Sequence, residues 1–122
     1  MADYVPLYLP GKAFTAQASA AITGGRLVYV SGSGTVANTG ADTNIPIGVA
    51  AQDAAASGDH VGVFGRGTIH RILAVGTVTA GEVVEAAAGG GVATHAVDAS
   101  DAQVFGIALT TATDALVEIM EL

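Results

Sequence analysis

The sequence predicts an all-β fold, a small pseudo-symmetric barrel or sandwich assembled from two related halves, and three observations predict it. Seventeen glycines stand among 122 residues, and the 51% hydrophobic content, with only 5% aromatic residues, comes mostly from Ala, Val, Ile and Leu. A thin core of small side chains between frequent turns suits short, closely packed strands better than helices. Apolar and polar residues also alternate over short runs, the period of a strand with one buried face. Third, the pattern recurs. Ile22-Thr23-Gly24-Gly25-Arg26-Leu27-Val28 returns 56 residues later as Val78-Thr79-Ala80-Gly81-Glu82-Val83-Val84, and Gly34-Thr35-Val36-Ala37 returns as Gly90-Gly91-Val92-Ala93. Ile47-Gly48-Val49-Ala50 matches Phe105-Gly106-Ile107-Ala108 at 58 residues, and Val61-Gly62-Val63 matches Val117-Glu118-Ile119 at 56 again. Two residues enter one loop and leave the next. Insertions confined to turns are what two copies of one β-unit require, because a one-residue slip inside a strand reverses its faces.

The elements follow in chain order. Residues 1–11 form an arm: Tyr4, Val5, Leu7, Tyr8 and Leu9 crowd apolar side chains between Pro6 and Pro10, which exclude both a helix and a central strand. Residues 12–122 form a single β-domain, with pseudo-repeats over about 22–64 and 78–119. Strands are predicted at 14–18, 26–30, 47–51, 60–64, 68–73, 82–86, 104–109 and 115–120. Gly24-Gly25, Gly32-Ser33-Gly34, Ser57-Gly58-Asp59 and Gly89-Gly90-Gly91 supply the turns between them, and Gly65-Arg66-Gly67 reads as a further hairpin turn. Asp53 is a helix-cap residue type, but Gly58 follows too soon for more than one short turn.

Composition also excludes functions. Four Lys and Arg against eleven Asp and Glu give a net charge of −7, which repels phosphate backbones and anionic lipid, so neither nucleic acid nor a membrane surface is an expected partner. With no cysteine, disulfides and thiolate metal sites are ruled out. The start lacks the basic and apolar regions of a signal peptide, so synthesis in a cytoplasm is expected, and polar residues interrupt every apolar run before the roughly 20 residues a spanning helix needs. The candidate general bases His60, His70 and His95 fall in different strands or loops without a motif, so no catalytic site is expected. No HExxH is present, Asp42-Thr43-Asn44 does not continue into a calcium loop, and Asp98 with Asp101 reads as turn chemistry, so neither a metal nor a cofactor is expected. Gly32-Ser33-Gly34 and Gly65-Arg66-Gly67 lack the GK[ST] and helix that phosphate cradles need. The one lysine, Lys12, stands in the wrong place for a lipoyl or biotin carrier.

The arm is then either a partner contact or an N-terminal edge strand packed on its own domain. Burying its five large apolar side chains yields on the order of 8–15 kcal/mol, whereas ordering ten residues costs roughly 10–20. One arm is therefore marginal alone, and several copies on one surface gain from effective concentration.

Several segments together resemble the small capsid decoration, or cement, proteins of tailed bacteriophages. They are Tyr4-Val5, Pro10-Gly11, Ala21-Ile22-Thr23-Gly24-Gly25, Pro46-Ile47-Gly48-Val49-Ala50, Ala55-Ala56-Ser57-Gly58-Asp59 and Gly65-Arg66-Gly67-Thr68-Ile69. The stretch from Ile47 to Asp53 and on through Phe64, Gly67 and Thr68 is also similar to lambdoid head-decoration proteins. The sequence departs from the pattern at Gly81-Glu82-Val83-Val84-Glu85, where an aromatic residue often follows the valines. The resemblance implies a β-barrel or β-tulip-like domain on the outer surface of the virion's assembled capsid. It further implies a homotrimer that stabilises contacts between major capsid protein subunits, and assigns Asp3, Tyr4, Val5, Leu7, Tyr8 and Leu9 to the capsid contact by strand addition. The alternative is a phage tail, baseplate or fibre-associated β-module that binds another structural protein.

Overall fold

The structure, a computed structural model, describes residues 12–40, 44–65, 67–95 and 101–122. Its first unit comprises β1 (Ala13–Ala18), β2 (Leu27–Gly32), β3 (Thr35–Asn38), β4 (Pro46–Ala50) and β5 (His60–Phe64). These close into a five-stranded barrel in the order β1-β3-β2-β4-β5. All pairings are antiparallel except β1 with β3, which run parallel through Gln17↔Thr35 and Ala18↔Val36. Parallel strands need a crossover, and β2 provides it.

The second unit comprises β6 (Ile69–Leu73), β7 (Thr77–Val78), β8 (Val83–Ala86), β9 (Val92–Thr94), β10 (Val104–Ala108), β11 (Ala112–Thr113) and β12 (Leu116–Glu121). Its main sheet has the order β6-β12-β10-β8-β9. The edge strands meet at one parallel bridge, Ala74↔Val92, where Val75 N–H donates to Val92 O at 2.7 Å. This is the β1–β3 closure of the first unit again, since Ser19 N–H donates to Val36 O at 3.0 Å there. The short β7–β11 pair repeats the Ile22↔Ala54 bridge of the first unit.

The interiors are duplicated side chain by side chain. Ala18, Ile22, Val28, Val36, Ala50, Val61 and Val63 fill the first barrel, and Ala74, Val78, Val84, Val92, Ala108, Val117 and Ile119 fill the second in the same places. Gly48 and Gly106 show why glycine recurs at one strand position: a Cβ would lie 2.1 Å from the Phe64 carbonyl oxygen in one unit and 2.2 Å from that of Met120 in the other. Backbone approaches a neighbouring strand too closely for any side chain at either site.

The all-β barrel class is thus the one the sequence predicts, and the strands curl within each repeat rather than between the two, closing fully in the first and through the single Ala74↔Val92 bridge in the second. The predicted strands all form. Missing from the prediction were the short strands β3 and β9, each close behind a glycine turn, and the two-residue β7 and β11. Gly65 and Gly67 join the two units instead of turning a hairpin, because β5 and β6 belong to different sheets.

The units are held together asymmetrically. Leu27 and Val49, on the outside of the first barrel, are buried in one continuous cluster with Ile72, Ala86 and Phe105 of the second. Around them the Thr39 hydroxyl donates to Ala87 O at 3.1 Å, Gly90 N–H donates to Thr39 O at 2.8 Å, and Arg26 Nη1 donates to Gly89 O at 2.6 Å. Gly90 sits in the left-handed region at φ 73°, and a Cβ there would meet Arg26 Cβ at 2.6 Å.

Candidate interaction site

A bulge aims one residue of each unit at the barrel mouth. In β4 the register with β2 shifts so that Ile47 is the extra residue, and in β10 the register with β8 shifts so that Phe105 is. Bulges recur where a side chain must be re-aimed. Phe105 is buried in the second mouth beside Ile72 and Ala86, under Leu27 and Val49. At the matching positions of the first mouth stand Ile47, Ala16 and Val30, of which Ile47 and Ala16 are only partly buried and Val30 is 57% exposed.

The consequence is an open apolar depression. Phe14, Ala16, Val30, Gly34, Val36 and Ile47 line a cavity of about 200 Å³. A second cavity, of about 390 Å³, adjoins it through Val30 and Ile47 and is walled by Tyr29, Asn44 and Ile45. Ile45 is 55% exposed. An open apolar depression of this kind is a candidate interaction site. Parallel pairing of β1 with β3 covers only Gln17 and Ala18, so the barrel wall opens toward the start of β1, where the chain enters from residue 11.

Each histidine has its own setting. His60 is exposed at the start of β5. His95 Nδ1 lies 3.3 Å from Glu85 Oε2, with both side chains largely buried. His70 Nε2 lies 3.6 Å from Glu121 Oε2, beyond hydrogen-bond range, and neither atom has a hydrogen-bond partner among the described residues. Phe14 and Gly65 occupy the corresponding places in the first barrel. The three imidazoles are not brought together. Among the described residues no group of three or more His, Cys, Asp and Glu side chains is arranged to hold a metal ion, and no helix is long and apolar enough to cross a membrane.

Of the residues the sequence assigned to partner contact, Asp3, Tyr4, Val5, Leu7, Tyr8 and Leu9 all lie outside the described residues, as do Asp98 and Asp42. The mouth itself escaped the sequence reading. Its signal was present in the repeat, where Ala16 and Ile47 stand opposite the larger Ile72 and Phe105.

A sequence profile of the phage cement proteins matches residues 3–66, from the arm to the linker between the barrels. The chain therefore belongs to the phage cement protein family and is a phage structural protein. No curated protein sequence matches it. Among solved structures, the N base of head fiber gp8.5 of bacteriophage phi29 superposes with a TM-score of 0.70 at 21% identity, over 91% of this chain and 93% of that one. That likeness extends the shared fold across both barrels, including the second, which the profile does not reach.

Proposed function

We propose that the protein is a capsid cement protein that binds the outer surface of an assembled phage capsid and stabilises contacts between major capsid protein subunits. The observation that carries this reading is the reach of the family profile, which begins at residue 3 and so includes the arm together with the first barrel. Capsid contact falls to Asp3, Tyr4, Val5, Leu7, Tyr8 and Leu9, the last five of which bring apolar side chains to an exposed edge of the shell by strand addition. The role is mechanical rather than enzymatic. A closed barrel and a second sheet whose edge strands meet at one bridge leave few strand edges for misdirected pairing, and a net charge of −7 keeps the protein away from nucleic acid and anionic membranes. A trimer on the shell, made in the host cytoplasm and added after assembly, gives each marginal arm the benefit of its neighbours.

A second reading, a fibre-associated base module that binds another structural protein, draws support from the likeness to the phi29 head fiber base. Co-sedimentation with expanded empty shells of the cognate phage separates the two. The cement reading expects the full chain to pellet with the shells and residues 12–122 to bind at least about tenfold more weakly, the equivalent of about 1.4 kcal/mol. Equal binding by both forms removes the arm from the contact, and no binding by either favours the fibre-associated module.

A further inference from the structure

The contact between the two barrels runs head to tail: one barrel presents an outer face and the other presents its mouth. Duplication means that each barrel owns both surfaces, so one of each is left over. On the second barrel the face equivalent to Leu27 and Val49 consists of Val83 and Ile107, and Val83 is 38% exposed. On the first barrel the mouth equivalent to Ile72, Ala86 and Phe105 is the depression around Ala16, Val30 and Ile47. Backbone geometry repeats as well. His95 N–H donates to Val83 O at 2.8 Å, as Thr39 N–H donates to Leu27 O at 3.1 Å. Gly34 has the same φ of 73° as Gly90, yet none of the described residues lies within 4 Å of where its Cβ would be, whereas Gly90 is pressed against Arg26. Among the described residues, the first mouth repeats the form of the docked one with its apolar rim uncovered.

The geometry points to a second copy of this chain as that occupant: Val83 and Ile107 of one molecule seat in the Ala16–Val30–Ile47 mouth of the next, repeating between molecules the contact made within each. Such a heterologous contact propagates, closing into a ring when the rotation permits and extending otherwise. Its apolar half is retained. The polar half is not, because Glu82 stands where Arg26 donates to Gly89 O, and Glu82 instead accepts from Thr79 N–H at 2.6 Å. Copies each carrying −7 also repel one another. The contact between molecules is therefore weaker than the one within them and strengthens as salt screens that repulsion. It is independent of whether the arm holds a capsid.

Sedimentation equilibrium of the full chain, with Val83→Glu and Val30→Glu as variants, tests it. Both positions are exposed, and circular dichroism reports whether each variant keeps its sheet content. Wild type is expected to exceed the 11.9 kDa of one chain at high protein and high salt. Each variant alone is expected to associate at least about tenfold more weakly, the loss typical of one hot-spot side chain. Mixing them restores one interface, the intact mouth of Val83→Glu with the intact face of Val30→Glu, and should give dimers and nothing larger. A wild type that stays monomeric, variants that associate normally, or a mixture no better than its parts would each overturn the proposal. So would association that appears only after deletion of residues 1–11, which would make the chain's own arm the occupant.

Discussion

The two barrels share a strand order, a closure, a bulge and the small side chains of their interiors, yet their mouths differ. The second mouth is filled by Phe105 and Ile72 and covered by the first barrel, while the first, with Ile47 and Ala16 in their places, stays open. Duplication gave the fold twice, and divergence at a few rim positions made one copy a core and the other a surface. Interior positions are held by packing on all sides, so change there costs stability in either barrel. Rim positions are held only where something sits on them, which is why they record the interaction.

The largest expected effect tests the equivalence itself. Gly48→Val and Gly106→Val each force a side chain into a backbone carbonyl about 2 Å away and should cost more than about 4 kcal/mol, the range reserved for severe overpacking and backbone strain. Urea denaturation should show similar losses for both, and a mild effect at one site alone would break the pairing.

Leu27→Ala against Val83→Ala comes next. The first removes a fully buried side chain from the cluster between the barrels and should cost about 2–5 kcal/mol. The second trims its exposed equivalent and should stay within about 0.5–1 kcal/mol at concentrations where the chain is monomeric.

That asymmetry also marks how far the sequence could be read. Offsets of 56 and 58 between the repeats were enough to place the main strands and to predict two related β-units. They could not separate Leu27 from Val83, since both are aliphatic residues at one strand position and only the docking of one barrel on the other distinguishes them. Strand β3 was missed because it is only four residues long and begins directly behind the Gly32–Gly34 turn that pairs it with β2. Nor does a β-bulge show in the alternation, so the turning of Ile47 and Phe105 into the mouths went unread. The arm, by contrast, was conspicuous because nothing in the repeat corresponds to it.

Exchanging side chains between barrels sharpens the comparison further. His70 and Glu121 form a buried pair beyond hydrogen-bond distance where the first barrel has Phe14 and Gly65. His70→Phe combined with Glu121→Leu should raise the stability of the protein by about 1–3 kcal/mol, because apolar replacement of a poorly satisfied buried pair removes its desolvation penalty. Either change alone leaves one polar group without its partner and should destabilise. A double variant no more stable than wild type in thermal melts would show that the pair is better compensated than its geometry indicates.

The smallest difference lies between two glycines with the same φ. Gly34→Ala should cost about 1 kcal/mol for the left-handed conformation alone. Gly90→Ala adds the clash with Arg26 and should cost about 1–2 kcal/mol more. Equal losses in monomeric protein would place no special demand on the contact between the barrels.

Function has its most direct test in the shell itself. Expanded shells of the cognate phage, bare or saturated with this protein, can be heated and their rupture followed by light scattering and electron microscopy. A cement protein predicts that decorated shells survive to a temperature several degrees above that of bare ones, with the gain lost when residues 1–11 are removed. Decorated and bare shells that rupture at the same temperature, with the protein still bound, would contradict the account.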